Sequence, residues 1–177
     1  MSLKIPVVLL FAILAAACGN DAEKGAQVPV RATAATGDYD ATLSEGIQFG
    51  DRPGYPRFVS SVTGMSGFEP GNRWTEGPAA IFHFAQPLPT KFILKLEMVG
   101  AFGPNVGKPV VVKIGSWRGE FTVDTKPVTI DLPVETTEPA PAIEFVVPEP
   151  ASPRELGVGA DTRKVGVGFR RLSIALP

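Results

Sequence analysis

From residue 80 onward, apolar and polar side chains alternate with a period of two along most of the chain. The clearest run is apolar at every second position: Phe92, Leu94, Leu96 and Met98. The same alternation occurs over residues 80–84, 110–114, 128–132 and 143–147. Successive side chains of a β-strand point to opposite faces, so these segments are predicted to be half-buried strands.

The breaks between these runs are rich in turn residues. The chain has 18 prolines and 19 glycines, most of them between the apolar runs, and no segment after residue 18 keeps a helical period over three turns. Residues 115–119 predict a short hairpin loop. The phase shift at Arg170 and Arg171 predicts a β-bulge in the last strand. Together these features predict an all-β fold, an antiparallel two-sheet sandwich of the jelly-roll type.

The N-terminus has the parts of a secretory signal. Lys4 is the only charged side chain in residues 1–17, and an apolar run of about 13 residues follows it. A membrane-spanning helix needs roughly 20 apolar residues, so the run predicts a signal peptide. Small residues at 15–17 directly precede Cys18. This pattern is typical of a bacterial lipoprotein, in which Cys18 becomes the lipidated first residue.

The anchor predicts the location and the domain organisation. Several acyl chains together give durable membrane attachment, and Gly19 after Cys18 favours the periplasmic side of the outer membrane. Residues 18–41 are small and charged, which predicts a lipidated flexible tether. Residues 42–177 are predicted to form the sandwich domain. The alternative is a secreted protein in which Cys18 is incidental.

Composition excludes several functions. The formal net charge of −1 argues against a nucleic-acid partner, which requires a clustered basic surface. The single cysteine leaves no intramolecular disulfide. The single histidine, His83, removes most Ser-His-Asp and Cys-His machinery. We therefore expect no cofactor, no metal site and no enzymatic activity.

The segment 64–77 is long for a hairpin connection, and long loops are often functional. It contains Glu69, Arg73, Trp74 and Glu76. A tryptophan beside charged groups can stack on a sugar ring while those groups bind its hydroxyls. The alternative is structural, with Trp74 closing one end of the sandwich and Arg73 paired with Glu69. A glycosidase-like pair of Glu69 and Glu76 is the least favoured reading.

Two further loops carry candidate contacts. Asn105 lies between Pro104 and Gly107, either as a tight-turn residue with positive φ or as a ligand contact at a loop rim. Asp161 and Arg163 form either an ion pair that fixes their loop or part of the same binding site.

Several motifs occur in a distinctive order. They are the 64–77 loop with its Arg-Trp pair, PLP at 87–89, FGPN-x-GKPV at 102–110, IG at 114–115, SP-x-ELG at 152–157 and D-x-RK-x-G-x-G at 161–168. Over roughly residues 58–176 this order resembles the β-sandwich domain at the C-terminal end of periplasmic phosphoglycerol transferases, which decorate osmoregulated periplasmic glucans. Similar domains are attached to some membrane glycosyltransferases.

The resemblance implies an accessory domain among cell-envelope glycans with a carbohydrate-binding-module-like fold. The transferase activity is not implied, because its catalytic module needs several hundred residues that have no counterpart here. The leading hypothesis is a non-catalytic, lipid-anchored glycan-binding module. Its predicted ligand contacts are Glu69, Arg73, Trp74, Asn105, Asp161 and Arg163. The alternative is a structural or protein-interaction lipoprotein without a glycan ligand.

Overall fold

The structure, a computed structural model, describes residues 37–177. Cys18, the predicted signal peptide and the predicted tether up to residue 36 lie outside the described residues. The described part is built from strands, with one 3-10 turn at Gly103–Asn105. Among residues 37–177, no helix has the length and apolar character to cross a membrane.

Twelve strands follow one another along the described chain. They are β1 (Gly37–Tyr39), β2 (Ile47–Gln48), β3 (Tyr55–Pro56), β4 (Val59–Thr63), β5 (Arg73–Glu76), β6 (Ala79–Leu88), β7 (Lys91–Ala101), β8 (Pro109–Ile114), β9 (Trp117–Thr122), β10 (Val128–Glu135), β11 (Ala140–Val146) and β12 (Val165–Ala175). The first of these, β1, lies within the range predicted to be tether.

The strands form two five-stranded sheets and one small pair. The front sheet has the order β10-β7-β12-β2, and β5 also pairs with β12. The back sheet has the order β4-β6-β11-β8-β9. All pairings within these two sheets are antiparallel, whereas β1 and β3 pair in parallel. The predicted antiparallel two-sheet sandwich is therefore confirmed.

The core lies between the two sheets and is dominated by phenylalanine rings. Phe169 of the front sheet packs on Phe145 of the back sheet, with ring centroids 5.0 Å apart. Phe82 and Phe49 complete the cluster, at 6.0 Å from Phe145 and 5.5 Å from Phe169 respectively. Each of these four side chains is at most 1% exposed. The two contacts of Phe145 are edge-to-face, an arrangement that stabilises a core beyond the burial of apolar area alone.

Local features agree with the sequence in most places. The register of β12 against β7 shifts between Phe169 and Arg171, which confirms the predicted bulge. The β8–β9 hairpin is tighter than predicted, because Ile114 pairs directly with Trp117 and only Gly115 and Ser116 form the loop. Gly115 has a φ of 53°, a left-handed conformation that a side chain disfavours.

Asn105 joins two loops at one end of the sandwich. Its Nδ2 donates to the carbonyl oxygens of Phe102 at 3.0 Å and Glu149 at 2.7 Å. Its Oδ1 accepts from the backbone N–H of Glu149 at 3.0 Å. The side chain is completely buried, and the positive φ values in this turn belong to Gly103 and Gly107. Asn105 is therefore a structural cross-link between the β7–β8 loop and the segment after β11.

The aromatic core gives a stability prediction. We expect Phe169→Ala to lower the free energy of unfolding by about 3–5 kcal/mol, because it leaves a cavity where three rings now meet. Leu176→Ala is the control, since this side chain is 64% exposed and its loss should cost less than about 0.5 kcal/mol. Denaturant unfolding of both variants checks the prediction, which would be wrong if the two differed little.

The Asn105 cross-link gives a second stability prediction. We expect Asn105→Ala to lower the free energy of unfolding by about 3 kcal/mol, because it deprives buried backbone groups of their partners. Asn72→Ala, at the only other asparagine of the described residues, is the matched control and should be nearly neutral. An Asn105→Ala variant with unchanged stability but altered ligand affinity would contradict the structural role.

Candidate functional site

The short strand β5 lies near one edge of the front sheet. It pairs with β12 on one side, and on the other side Met65 forms a bridge with Thr75. The backbone N–H of Ser66 donates to the Trp74 carbonyl oxygen at 2.8 Å. The segment predicted to be a loop is therefore folded against the sheet. Along β5, Arg73 and Thr75 are buried, whereas Trp74 and Glu76 are half-exposed.

Trp74 lies on the solvent side of the front sheet. A Cβ atom at Gly168 of β12 would lie 3.3 Å from two atoms of the indole, so the ring packs directly on the β12 backbone. The Phe102 ring meets the indole edge-to-face, with centroids 6.4 Å apart and an interplanar angle of 79°. The indole is thus held in one orientation while part of it remains accessible to solvent.

Arg163 connects two carboxylates. Its Nε and Nη2 donate to Asp161 Oδ2 at 2.9 and 2.6 Å, and its Nη1 donates to Glu69 Oε1. All three side chains are about one-third exposed. The hydrogen bonds from Arg163 hold the pKa of the Asp161 carboxyl below its ordinary value. The same bonds, first to Asp161 and then to Glu69, raise the pKa of Arg163, which stays charged at every physiological pH.

The Arg163–Glu69 contact joins the two segments that flank β5. Glu69 belongs to the segment on one flank of β5, and Arg163 leads into β12 on the other flank, where the Gly77 N–H donates to the Lys164 carbonyl. Arg73 and Thr75 are buried on the inner side of β5, whereas Trp74 is half-exposed on its other side. We call Glu69, Trp74, Asp161 and Arg163 the β5 surface.

The other two predicted contacts point elsewhere. The guanidinium of Arg73 is buried and lies 4.7 Å from the Tyr55 ring centroid and 5.8 Å from that of Phe68. Its Nη2 donates to the carbonyl oxygens of Arg52 and Gly54, both at 3.4 Å. These hydrogen bonds hold the loop before β3 beneath β5. Arg73, like Asn105, therefore has a structural role. Burial raises the pKa of Tyr55 beside it, against the opposing effect of Arg73.

Within residues 37–177, the structure also places the groups that bear on other chemistries. Glu69, one member of the least favoured carboxylate pair, is bound to Arg163. His83 is exposed on β6 in the back sheet, away from the β5 surface. No three histidine, cysteine, aspartate or glutamate side chains of this region are grouped so as to hold a metal ion.

Sequence reasoning missed the two residues that position Trp74. Phe102 lies in a motif that was attributed to a turn, and Gly168 lies in the last strand. A glycine inside a strand is itself a signal, because it often marks a close approach of other atoms to the backbone. The partner of that approach becomes visible only when β5 and β12 are seen side by side.

This chain is similar to several known proteins. Phosphoglycerol transferase I of Citrobacter koseri is 28% identical over 125 residues, and that of Escherichia fergusonii is 29% identical over the same length. The match covers 68% of this chain but only 16% of each relative. A solved structure named "Carbohydrate binding module family29" superposes with a TM-score of 0.49 at 14% identity, covering 73% of this chain and 86% of its own.

The match to a family spans almost all of the described part. The family described as "Domain of unknown function (DUF7024)" matches residues 35–176. The predicted resemblance to a domain of phosphoglycerol transferases is confirmed by the two enzymes above. The chain belongs to the DUF7024 family.

Proposed function

We propose that this protein is a non-catalytic module of the bacterial cell envelope that binds carbohydrate through the β5 surface. The observation that carries the proposal is Trp74. Its indole is held against the Gly168 backbone and stays half-exposed, and a guanidinium fixed by two carboxylates joins the segments that flank the same strand. Binding sites commonly combine an apolar or aromatic surface with a few convergent polar groups in this way.

The chemistry of the β5 surface suits a sugar ring. A pyranose has an apolar C–H face that can cover the indole, and hydroxyls at its rim that both donate and accept hydrogen bonds. Glu69 keeps free acceptor positions, because Arg163 engages only its Oε1 and a carboxylate has about four lone-pair sites. Arg163 is already restrained by its two partners, so little further side-chain entropy is lost when a ligand binds.

The family relationship supplies the context. The relatives are named phosphoglycerol transferases, yet the matched region is a small fraction of their length. We assign to this region an accessory role and leave the transfer reaction to the rest of those enzymes. In this protein the predicted lipid on Cys18 would place the module at a membrane, on our reading the periplasmic face of the outer membrane, where envelope glycans are its proposed ligands.

One observation favours a second candidate, a protein-interaction role. Leu156 and Val158 are 44% and 69% exposed on the loop that precedes β12. Exposed aliphatic side chains on one loop suit a protein partner better than a sugar. Under this alternative, Leu156→Ser with Val158→Ser would release a co-purifying protein, whereas a substitution at Trp74 would not.

The proposal makes a direct prediction for Trp74. We expect Trp74→Ala to weaken binding of the full-length chain, purified in detergent, to periplasmic glucans at least tenfold, because stacking on the indole is lost. Isothermal titration calorimetry measures the change. Phe58→Ala is the matched control, since Phe58 is a half-buried aromatic that stacks on Phe84 next to the back sheet. Equal affinities in the two variants would remove the β5 surface from the proposal.

A further prediction concerns Arg163. We expect Arg163→Met to weaken glucan binding severalfold and to raise the pKa of Asp161 toward its ordinary value of about 3.9. In the unsubstituted chain the lowered pKa keeps Asp161 charged as the pH falls. Its stabilising contact is therefore complete at neutral pH and is lost only when the pH drops through the lowered value. Carbon-13 NMR of the carboxyl group measures the pKa, and an unchanged pKa would contradict the proposed network.

A further inference from the structure

A groove of about 310 Å³ lies at the opposite end of the sandwich from the β5 surface. Its floor is formed where the start of β7 and the end of β10 run side by side, with Glu135 paired to Lys91. Trp117, the first residue of β9, lines it from the back sheet. Since β9 and β10 are edge strands of different sheets, the groove opens where the sandwich is not closed.

The position of Trp117 depends on a glycine. A Cβ atom at Gly119 would lie 2.3 Å from Cη2 and 2.7 Å from Cζ2 of the indole, so the ring lies over the Gly119 backbone. A glycine within a strand costs stability, roughly 0.5–1 kcal/mol relative to alanine. Because Gly119 has no side chain, the indole can lie along β9 and line the groove.

Trp117 differs from the aromatic residues of the core. Phe121, on the same face of β9, is 7% exposed, and Phe92 on the groove floor is 2% exposed. Trp117 is only partly buried although it packs against the same core. Like Trp74 at the other end, Trp117 packs on a glycine and stays partly accessible.

The rim of the groove carries one donor and one acceptor group. Lys91 Nζ lies 3.8 Å from Glu135 Oε2, and the two side chains are 66% and 76% exposed. A pair this open and this long contributes little to stability. Its donors and lone pairs are therefore available to a ligand at small energetic cost.

We propose that the Trp117 groove is a second saccharide-binding subsite, which takes one or two sugar residues of an uncharged glycan. The inference rests on the proposed carbohydrate-binding function and extends it to a separate site. The indole would cover the apolar face of a sugar ring, while Lys91 and Glu135 bind neighbouring hydroxyls. The volume lies at the lower end of the range for small-ligand sites.

A saccharide fits the groove better than a peptide strand does. A peptide added to the edge of β10 would need backbone N–H donors along that strand, and Pro133 has none. An apolar ligand would cover the indole but leave the Lys91–Glu135 pair without a role. A sugar uses both the aromatic surface and the charged rim.

The two subsites are too far apart to share one sugar residue. Gly100, which pairs with Gly168 beneath Trp74, and Phe92 on the groove floor are eight residues apart on β7. At about 3.3 Å per residue this is roughly 26 Å. A long glucan could therefore engage both subsites, and the second contact would then raise avidity without any new interaction.

Fluorescence separates the two subsites, because the chain has only two tryptophans. The full-length chain with Trp74→Phe reports on Trp117 alone, and the chain with Trp117→Phe reports on Trp74 alone. We expect cellohexaose or laminarihexaose to shift and saturate the emission in both. Adding Gly119→Ala to the Trp74→Phe chain should displace the indole and abolish the response.

Rim variants test the same subsite without risk to the fold. In the Trp74→Phe chain, Lys91→Ala with Glu135→Ala should weaken binding of the same hexasaccharides at least tenfold. The matched control is Lys95→Ala with Asp131→Ala, which removes another exposed ion pair, 3.4 Å long, from the same two strands. These rim variants decide the question if Gly119→Ala lowers the melting temperature.

The outcomes distinguish this inference from the proposed function. A response from Trp74 without one from Trp117 overturns the second subsite and leaves the proposed function intact. A response from Trp117 alone supports the second subsite and overturns the β5 surface as a binding site. No response from either overturns both. Equal effects of the rim variant and its control also overturn the subsite.

Discussion

The fold depends on burial of aromatic side chains between two sheets that no disulfide in the described residues joins. Phe169 projects from the front sheet against Phe82 and Phe145 of the back sheet. This packing aligns the sheets and forces alternate residues of each strand into the core. The remaining residues of each strand must then face outward or line an edge of a sheet. The packing therefore also determines where the proposed ligand contacts lie.

Both tryptophans pack on a glycine. Trp74 packs on Gly168 of the neighbouring strand, and Trp117 packs over Gly119 of its own strand. Contact with bare backbone fixes one part of an indole while leaving another part accessible. A Cβ atom at Gly119 would collide with the Trp117 ring, and one at Gly168 would clash with Val99 at 2.4 Å and press on the Trp74 ring at 3.3 Å. The positions of both indoles therefore depend on these two glycines.

The polar residues divide between the interior and the surface according to their partners. Arg73 and Asn105 find backbone carbonyls and, for Arg73, aromatic rings, which allow them to be buried. Arg163 finds two carboxylates at the surface, where partial exposure to water lowers the cost of holding the charges. The interior polar residues thereby position loops, whereas the Arg163 cluster stays accessible at the surface.

The sequence by itself determined most of the long strands, the two-sheet architecture and the family, because alternation with a period of two and ordered turn motifs are local properties of the chain. It did not predict β1 or β5, which lie in ranges predicted to be tether and loop. It also selected Trp74, Asp161, Arg163 and Glu69 as candidate contacts. Only the tertiary structure decided which residues share a surface. Arg73 and Trp74 are adjacent in sequence yet face opposite sides of β5, and Arg163 meets Glu69 across a separation of 94 residues. Such pairings depend on strand order and register, which side-chain alternation within a single strand does not specify.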